Sequence, residues 1–263
     1  MRRPASSPFL LLLLSALALS ACSDPARERF ERAEKAFLQQ KMEEALADYR
    51  SIPIRHPQSR YAPVALLRQG DLFGSYYRNY EAAVEAYGSL LFNYPRAPEA
   101  PSALVRRAEI RLLQLFDPAA AVADLELVRR RYPGFTGMDD AMFLLAKAYG
   151  GLPDRTRQGL VLRELIERYP DSPRALEARW MNAYRLLAQG EYAEADGEFR
   201  KILSLVSDRK EAARARWGMA QAMEGEGDLE AAIEQYQAME KDWEDSDYVA
   251  QKVERLRKRL REE

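Results

Sequence analysis

Proline-bearing dipeptides recur at His56-Pro57, Tyr94-Pro95, Tyr132-Pro133 and Tyr169-Pro170, and the same phase runs on through Val206-Ser207 to Trp243-Glu244. Successive markers lie 38, 38, 37, 37 and 37 residues apart. Each closes one stretch of helical spacing and precedes another. Proline cannot continue a helix, and it pushes the residue before it toward extended geometry, so each Pro marker reads as a helix end. A repeat of this length built from two helices cannot bury its apolar face alone, but stacked neighbours can. The expected fold is therefore all-α, a solenoid of about six helical hairpins. Such an array offers an extended surface rather than an enclosed pocket.

The register inside each repeat supports this. Thirteen residues after each marker's second position stands a small residue: Gly70, Ala108, Ala146, Ala183 and Ala220. Eight residues before each closing position stands a larger apolar one: Tyr49, Tyr87, Leu125, Leu162, Phe199 and Tyr236. Ala45, Ala83, Ala121, Ala195 and Ala232 lie four residues upstream of that site, and the fourth repeat has Gln158 instead. A small residue at a fixed place lets two helices of a hairpin approach closely. Pro53 is expected to distort the end of its helix. From Asp247 onward, Val249, Val253, Leu256 and Leu260 form one stripe, with basic residues on the other face, as in a helix that caps the end of an array.

These residues resemble the tetratricopeptide repeat family. Gly70…Ala83…Tyr87, Ala183…Ala195…Phe199, Ala220…Ala232…Tyr236 and the closing prolines carry the resemblance, which covers residues 26–243. The family's usual period is about 34 residues, so this one is longer. The resemblance implies a right-handed α-solenoid over residues 28–243 with a capping helix at 244–263. It also implies that each first helix lines the concave face. Asp71, Glu109, Lys147, Tyr184 and Gln221, next to the small positions, would then project along one partner-binding strip. The tyrosines Tyr76, Tyr77 and Tyr80 form a second candidate surface, or else staple their own hairpin. The long Tyr-Pro turns are similar to those of two envelope groups, the β-barrel assembly lipoproteins of the BamD (YfiO) type and the repeat region of the Tol-associated CpoB (YbgF) type.

The start of the chain carries a second signal. Arg2 and Arg3 precede an apolar run from Phe9 to Leu19, too short to span a bilayer and suited to a secretory signal. Leu19-Ser20-Ala21-Cys22 resembles a bacterial lipobox, and Cys22 is the sole cysteine. The resemblance implies a signal peptide at 1–21, acylation of Cys22, and a lipidated tether at 22–27. Helix formation is expected to begin near Pro25, a residue suited to a first turn. Several acyl chains anchor stably where one does not. Ser23 after the cysteine lacks the aspartate of inner-membrane retention, so the expected location is the outer membrane, facing the periplasm.

Without residues 1–21 the formal charge is −3, so neither nucleic acid nor a polyanion is implied as a partner. The one histidine, His56, sits in a turn position held elsewhere by tyrosine. No His/Cys cluster can build a zinc site, and no serine has a histidine base to activate it. Asp139-Asp140 and Glu43-Glu44 fall at helix starts, where acids complement the dipole. The glycines form no phosphate loop. The expectation is a non-enzymatic scaffold without cofactor or small-molecule substrate, whose partners are envelope proteins. A BamD-like role in outer-membrane β-barrel assembly is the leading version. The alternatives are an adaptor for Tol function, cell-wall synthesis, or pilus and secretion assembly.

Overall fold

Helix starts follow side chains that can accept hydrogen bonds from the first free N–H groups. The computed structural model describes residues 24–153 and 156–262, so the Cys22 assignment lies outside the described residues. Asp24 accepts from the N–H of Ala26 at 3.0 Å, and Pro25 opens the helix behind it. Asn79, Asp117, Ser172, Asp208, Asp228 and Asp245 cap later helices in the same way.

Thirteen α-helices result among the described residues. They pair as α1 (Pro25–Leu38) with α2 (Met42–Arg55), α3 (Tyr61–Asp71) with α4 (Tyr80–Asn93), and α5 (Ala100–Leu113) with α6 (Pro118–Arg131). The remaining pairs are α7 (Met138–Gly150) with α8 (Thr156–Arg168), α9 (Pro173–Gln189) with α10 (Tyr192–Leu205), and α11 (Arg209–Glu226) with α12 (Leu229–Met239). The last helix, α13, spans Ser246–Glu262. None is long and apolar enough to cross a membrane.

The chain divides into two compact units, residues 1–103 and 104–263. Within each, helices pack in chain order, and first helices also touch one another, α1 with α3 in the first unit and α7 with α9 and α9 with α11 in the second. The apolar register forms the cores. Tyr49, Tyr87, Leu125, Leu162, Phe199 and Tyr236 are all buried, as are Ala45, Ala83, Ala121, Ala195 and Ala232. The small positions are buried too, and Gly70 shows why. A Cβ there would fall 2.3 Å from the ring of Tyr87. In α13, Val249, Val253 and Leu256 are buried and Leu260 is 38% exposed.

Three departures from simple repetition have physical causes. First, α2 continues through Pro53 to Arg55 rather than breaking. The missing N–H leaves the Tyr49 carbonyl without its helical donor, and the buried Gln69 side chain donates to it at 3.2 Å. Second, α3 ends in a π turn over Leu72–Tyr76, with the N–H of Asn79 reaching back to the Phe73 carbonyl. Asp117 reaches back to Arg111 likewise at the end of α5. These turns absorb the extra residue that separates Gly70 from Ala83 and Ala108 from Ala121. Third, Gln158 replaces the expected alanine where α7 ends in Gly150. A Cβ on Gly150 would lie 2.5 Å from the Gln158 amide, so the glycine makes room for the longer side chain.

In five of the six hairpins the inner turn uses a left-handed residue, whereas α7 runs into Gly151 at φ −81°. Gly190 and Gly227 supply that residue at φ 78° and 87°. Gln40, Arg78 and Phe116 adopt the same region at φ 60°, 51° and 53°, where a Cβ is disfavoured. The inter-hairpin markers are also tied. The Tyr94 hydroxyl donates to the Pro57 carbonyl at 2.9 Å. His56 takes the equivalent place in the first hairpin.

Candidate protein-interaction surface

In the second unit α7 approaches α9 and α9 approaches α11, and aromatic residues recur on these helices at one register. Phe143, Trp180 and Trp217 each lie ten residues after their marker's second position. Cations from the following hairpin cover the first two. Arg174 lies 5.3 Å over Phe143, and Arg214 lies 4.5 Å over Trp180. Trp217 instead stacks on Trp243 at 4.8 Å and meets Tyr236 edge-on at 5.0 Å. Cation–π and aromatic pairs of this kind contribute about 0.5–2 kcal/mol each.

The predicted strip residues occupy varied surroundings. Tyr184 stacks on Trp180 at 5.9 Å, meets Phe199 edge-on at 5.3 Å, and accepts from Arg214 Nε at 3.0 Å. Lys147 is exposed and reaches back over Phe143 at 5.9 Å. Glu109 is exposed and Gln221 half-buried. In the first unit, Asp71 accepts from the buried Tyr87 hydroxyl at 2.8 Å, so it anchors its own hairpin. Glu34 does the same for Tyr49 at 2.6 Å while also accepting from Arg68 Nε at 3.0 Å.

Sequence reasoning missed the cations. Arg174 pairs with Asp140 at 2.6 Å and with Glu177 at 2.7 Å, and its hydrogen bond to Asp140 chiefly raises its pKa above the ordinary arginine value. No fixed register marks Arg174 and Arg214, since they lie four and seven residues after their respective markers. Trp180 and Trp217, one repeat apart, read in the sequence as stacked-core positions, and Phe143 shares their phase.

Asp139 and Asp140 both bond side chains of the next hairpin. Asp139 accepts from the Ser172 hydroxyl at 2.5 Å. One buried carboxylate, Asp124, holds Arg107 through two bonds of 2.6 and 2.9 Å and Arg111 through a third of 2.7 Å. All its strong donors are arginines, which gives it a structural task between α5 and α6. Among the three tyrosines of the first unit, Tyr77 meets Tyr76 edge-on at 4.9 Å and donates to Glu43 of the preceding hairpin at 3.3 Å, whereas Tyr76 is 54% exposed.

Comparison with known proteins agrees with this architecture. A tetratricopeptide repeat model matches residues 140–172. No curated protein matches. Among solved structures, the chain is similar to YrrB, a TPR protein with an unusual peptide-binding site, at 16% identity and TM-score 0.61, over 78% of this chain and 97% of that one. It is similar to MamA from Desulfovibrio magneticus RS-1 at 18% identity and TM-score 0.57, over 70% and 97%. PilW, a type IV pilus biogenesis factor, aligns at 16% identity and TM-score 0.56, over 87% and 100%. The fold is thus one of tetratricopeptide-like hairpins packed in sequence.

Proposed function

We propose that this chain is a lipid-anchored scaffold that faces the periplasm from the outer membrane and holds protein partners along its first helices. The observation that carries the binding role is the set of aromatic–cation rungs, Phe143 with Arg174 and Trp180 with Tyr184 and Arg214, on adjoining first helices. Trp180 is buried, so the groups a partner could reach are the half-buried Phe143, Arg174 and Tyr184 and the exposed Arg214, and aromatic and arginine side chains are the usual anchors of protein interfaces. Lys147 and Gln221, exposed and half-buried on the same helices, would contact the partner beside Tyr184, and Glu109 would extend the strip onto α5. The role is one of binding, with no catalysis.

The membrane attachment rests on Leu19-Ser20-Ala21-Cys22 and on Cys22 being the sole cysteine. Within this class the more specific version is BamD-like assembly of outer-membrane β-barrel proteins, supported by the lipobox, the number of hairpins and the Tyr-Pro turns. A pilus or secretion assembly adaptor is the second version. PilW shares the hairpin fold over 87% of this chain. Tol-associated and cell-wall adaptors share the same scaffold. In-cell crosslinking of the full chain, followed by mass spectrometry, separates these. Capture of a large outer-membrane barrel protein and nascent porins supports the β-barrel version, and capture of pilus, Tol or cell-wall components replaces it. Capture of no envelope protein overturns the proposal.

A further inference from the structure

Antiparallel helices joined by short turns bring helix starts and helix ends to the same edge. In the first unit one edge holds the start of α1 at Pro25, the end of α2 at Arg55, the start of α3 at Tyr61 and the end of α4 at Asn93. Ile54 and Phe92, in the last turns of α2 and α4, are 78% and 86% exposed there. They share one register, three residues before Pro57 and Pro95. The equivalent positions of the later repeats are Arg130, Glu167, Ser204 and Lys241, all polar. Large apolar side chains at this register therefore belong to the first two hairpins alone.

Three cations stand on the same edge, Arg55 at the end of α2 and Arg60 and Arg96 in the turns that follow α2 and α4. All three are exposed, and no described carboxylate pairs with them. Arg60 donates to the Tyr61 hydroxyl at 2.9 Å, a bond that leaves its charge uncompensated. The acids of this edge are Asp24, which caps α1, and the half-buried Glu99. The bond from the Tyr94 hydroxyl to the Pro57 carbonyl holds the two turns side by side. Exposed apolar side chains beside unpaired cations suit a membrane–water interface, where the first enter the acyl boundary and the second meet headgroup phosphates.

The length of chain before α1 argues for the same occupant. Cys22 lies two residues before Asp24, and two residues reach at most about 7 Å. Acyl chains on Cys22 would hold the start of α1 at the depth of the headgroup layer. The opposite edge also exposes an apolar residue, Leu38, at 80%. However, the 14 residues of α1 place it about 20 Å from the start of that helix. Its neighbouring cation, Lys41, is already paired with Glu44 at 3.6 Å.

We propose that the Ile54–Phe92 edge of the first unit lies on the lipid surface, with both side chains in the acyl boundary and Arg55, Arg60 and Arg96 on lipid phosphates. The inference rests on acylation of Cys22 and adds a second, non-covalent contact that fixes how the first unit stands on the bilayer.

With Cys22 acylated, one introduced cysteine is the only thiol, and it can carry a nitrobenzoxadiazole fluorophore. The full chain is purified from membranes, weighed by mass spectrometry for its acyl groups, and reconstituted in phosphatidylethanolamine–phosphatidylglycerol vesicles. The fluorophores of Ile54→Cys and Phe92→Cys are expected to shift to the blue. Spin-labelled lipid should quench them at least about threefold more than the fluorophore of Leu38→Cys. Replacing phosphatidylglycerol by phosphatidylcholine is expected to weaken the quenching at position 92, because the arginines favour an anionic surface. Equal quenching at all three positions of an acylated chain, or quenching at 92 that ignores lipid charge, would overturn the surface contact and leave the anchor standing. A mass without acyl groups would overturn both.

Discussion

The Gln69 side-chain amide donates to the carbonyl of Tyr49, the oxygen that Pro53 leaves without a helical donor. A proline inside α2 is thus compensated from the neighbouring hairpin. Gln69→Leu is expected to destabilise the fold by about 1–3 kcal/mol, because the carbonyl is left buried and unpaired. In a Pro53→Ala background the backbone N–H returns, and the same Leu substitution should cost measurably less. Urea unfolding of the four proteins of this double-mutant cycle reads the coupling directly.

Glycine-to-alanine changes should have opposite signs at two helical sites. At Gly70 the new Cβ would fall 2.3 Å from the Tyr87 ring, which is buried and fixed through its hydroxyl to Asp71. A loss of about 1–3 kcal/mol is expected from overpacking. At Gly197, inside α10, nothing lies within 4 Å, and alanine should add about 0.5–1 kcal/mol through helix propensity. Thermal melts of the two variants check the pair.

Phe116 holds a left-handed turn with its ring 81% exposed. Phe116→Gly is expected to stabilise by about 1 kcal/mol, since strain is relieved and little packing is lost. Gly190→Ala, at φ 78°, should destabilise by a similar amount. An unchanged melting temperature in both variants would show that the turn conformation carries no strain.

Alkaline pH should unfold the chain through its buried tyrosines. Burial raises the pKa of Tyr49, and a hydrogen bond to Glu34 adds to the shift. Burial likewise raises that of Tyr236 beside Glu224. A group whose folded pKa lies above its unfolded value gives stability that is full below the unfolded value and lost as pH rises beyond it. Stability should therefore fall above about pH 10, by up to about 1.4 kcal/mol per pH unit for each such tyrosine. Tyr49→Phe should flatten that fall in unfolding curves taken between neutral and alkaline pH.

The repeat was legible because each of its signals is a fixed spacing. The markers set the helix ends, and the small and large positions set the hairpin contact. What escaped was compensation between distant residues. Gln69 reads as a polar residue of no special phase until its amide is seen against Tyr49. Arg174 and Arg214 share no register, yet each covers an aromatic ring of the preceding hairpin. Asp71 was placed on the partner strip by its phase, and its bond to Tyr87 could be seen only once the hairpin was closed. The π turn of α3 follows from one extra residue between Gly70 and Ala83, a difference the sequence displays without saying where it is absorbed.

Site-resolved photocrosslinking in the native cell tests the scaffold reading most directly. A photoreactive residue at Lys147 or Gln221, on the first helices, is expected to form adducts with the same envelope partner. One at Lys201, exposed on the second helix α10, is expected to form none. Adducts from Lys201 with none from Lys147 and Gln221 would contradict binding along the first helices.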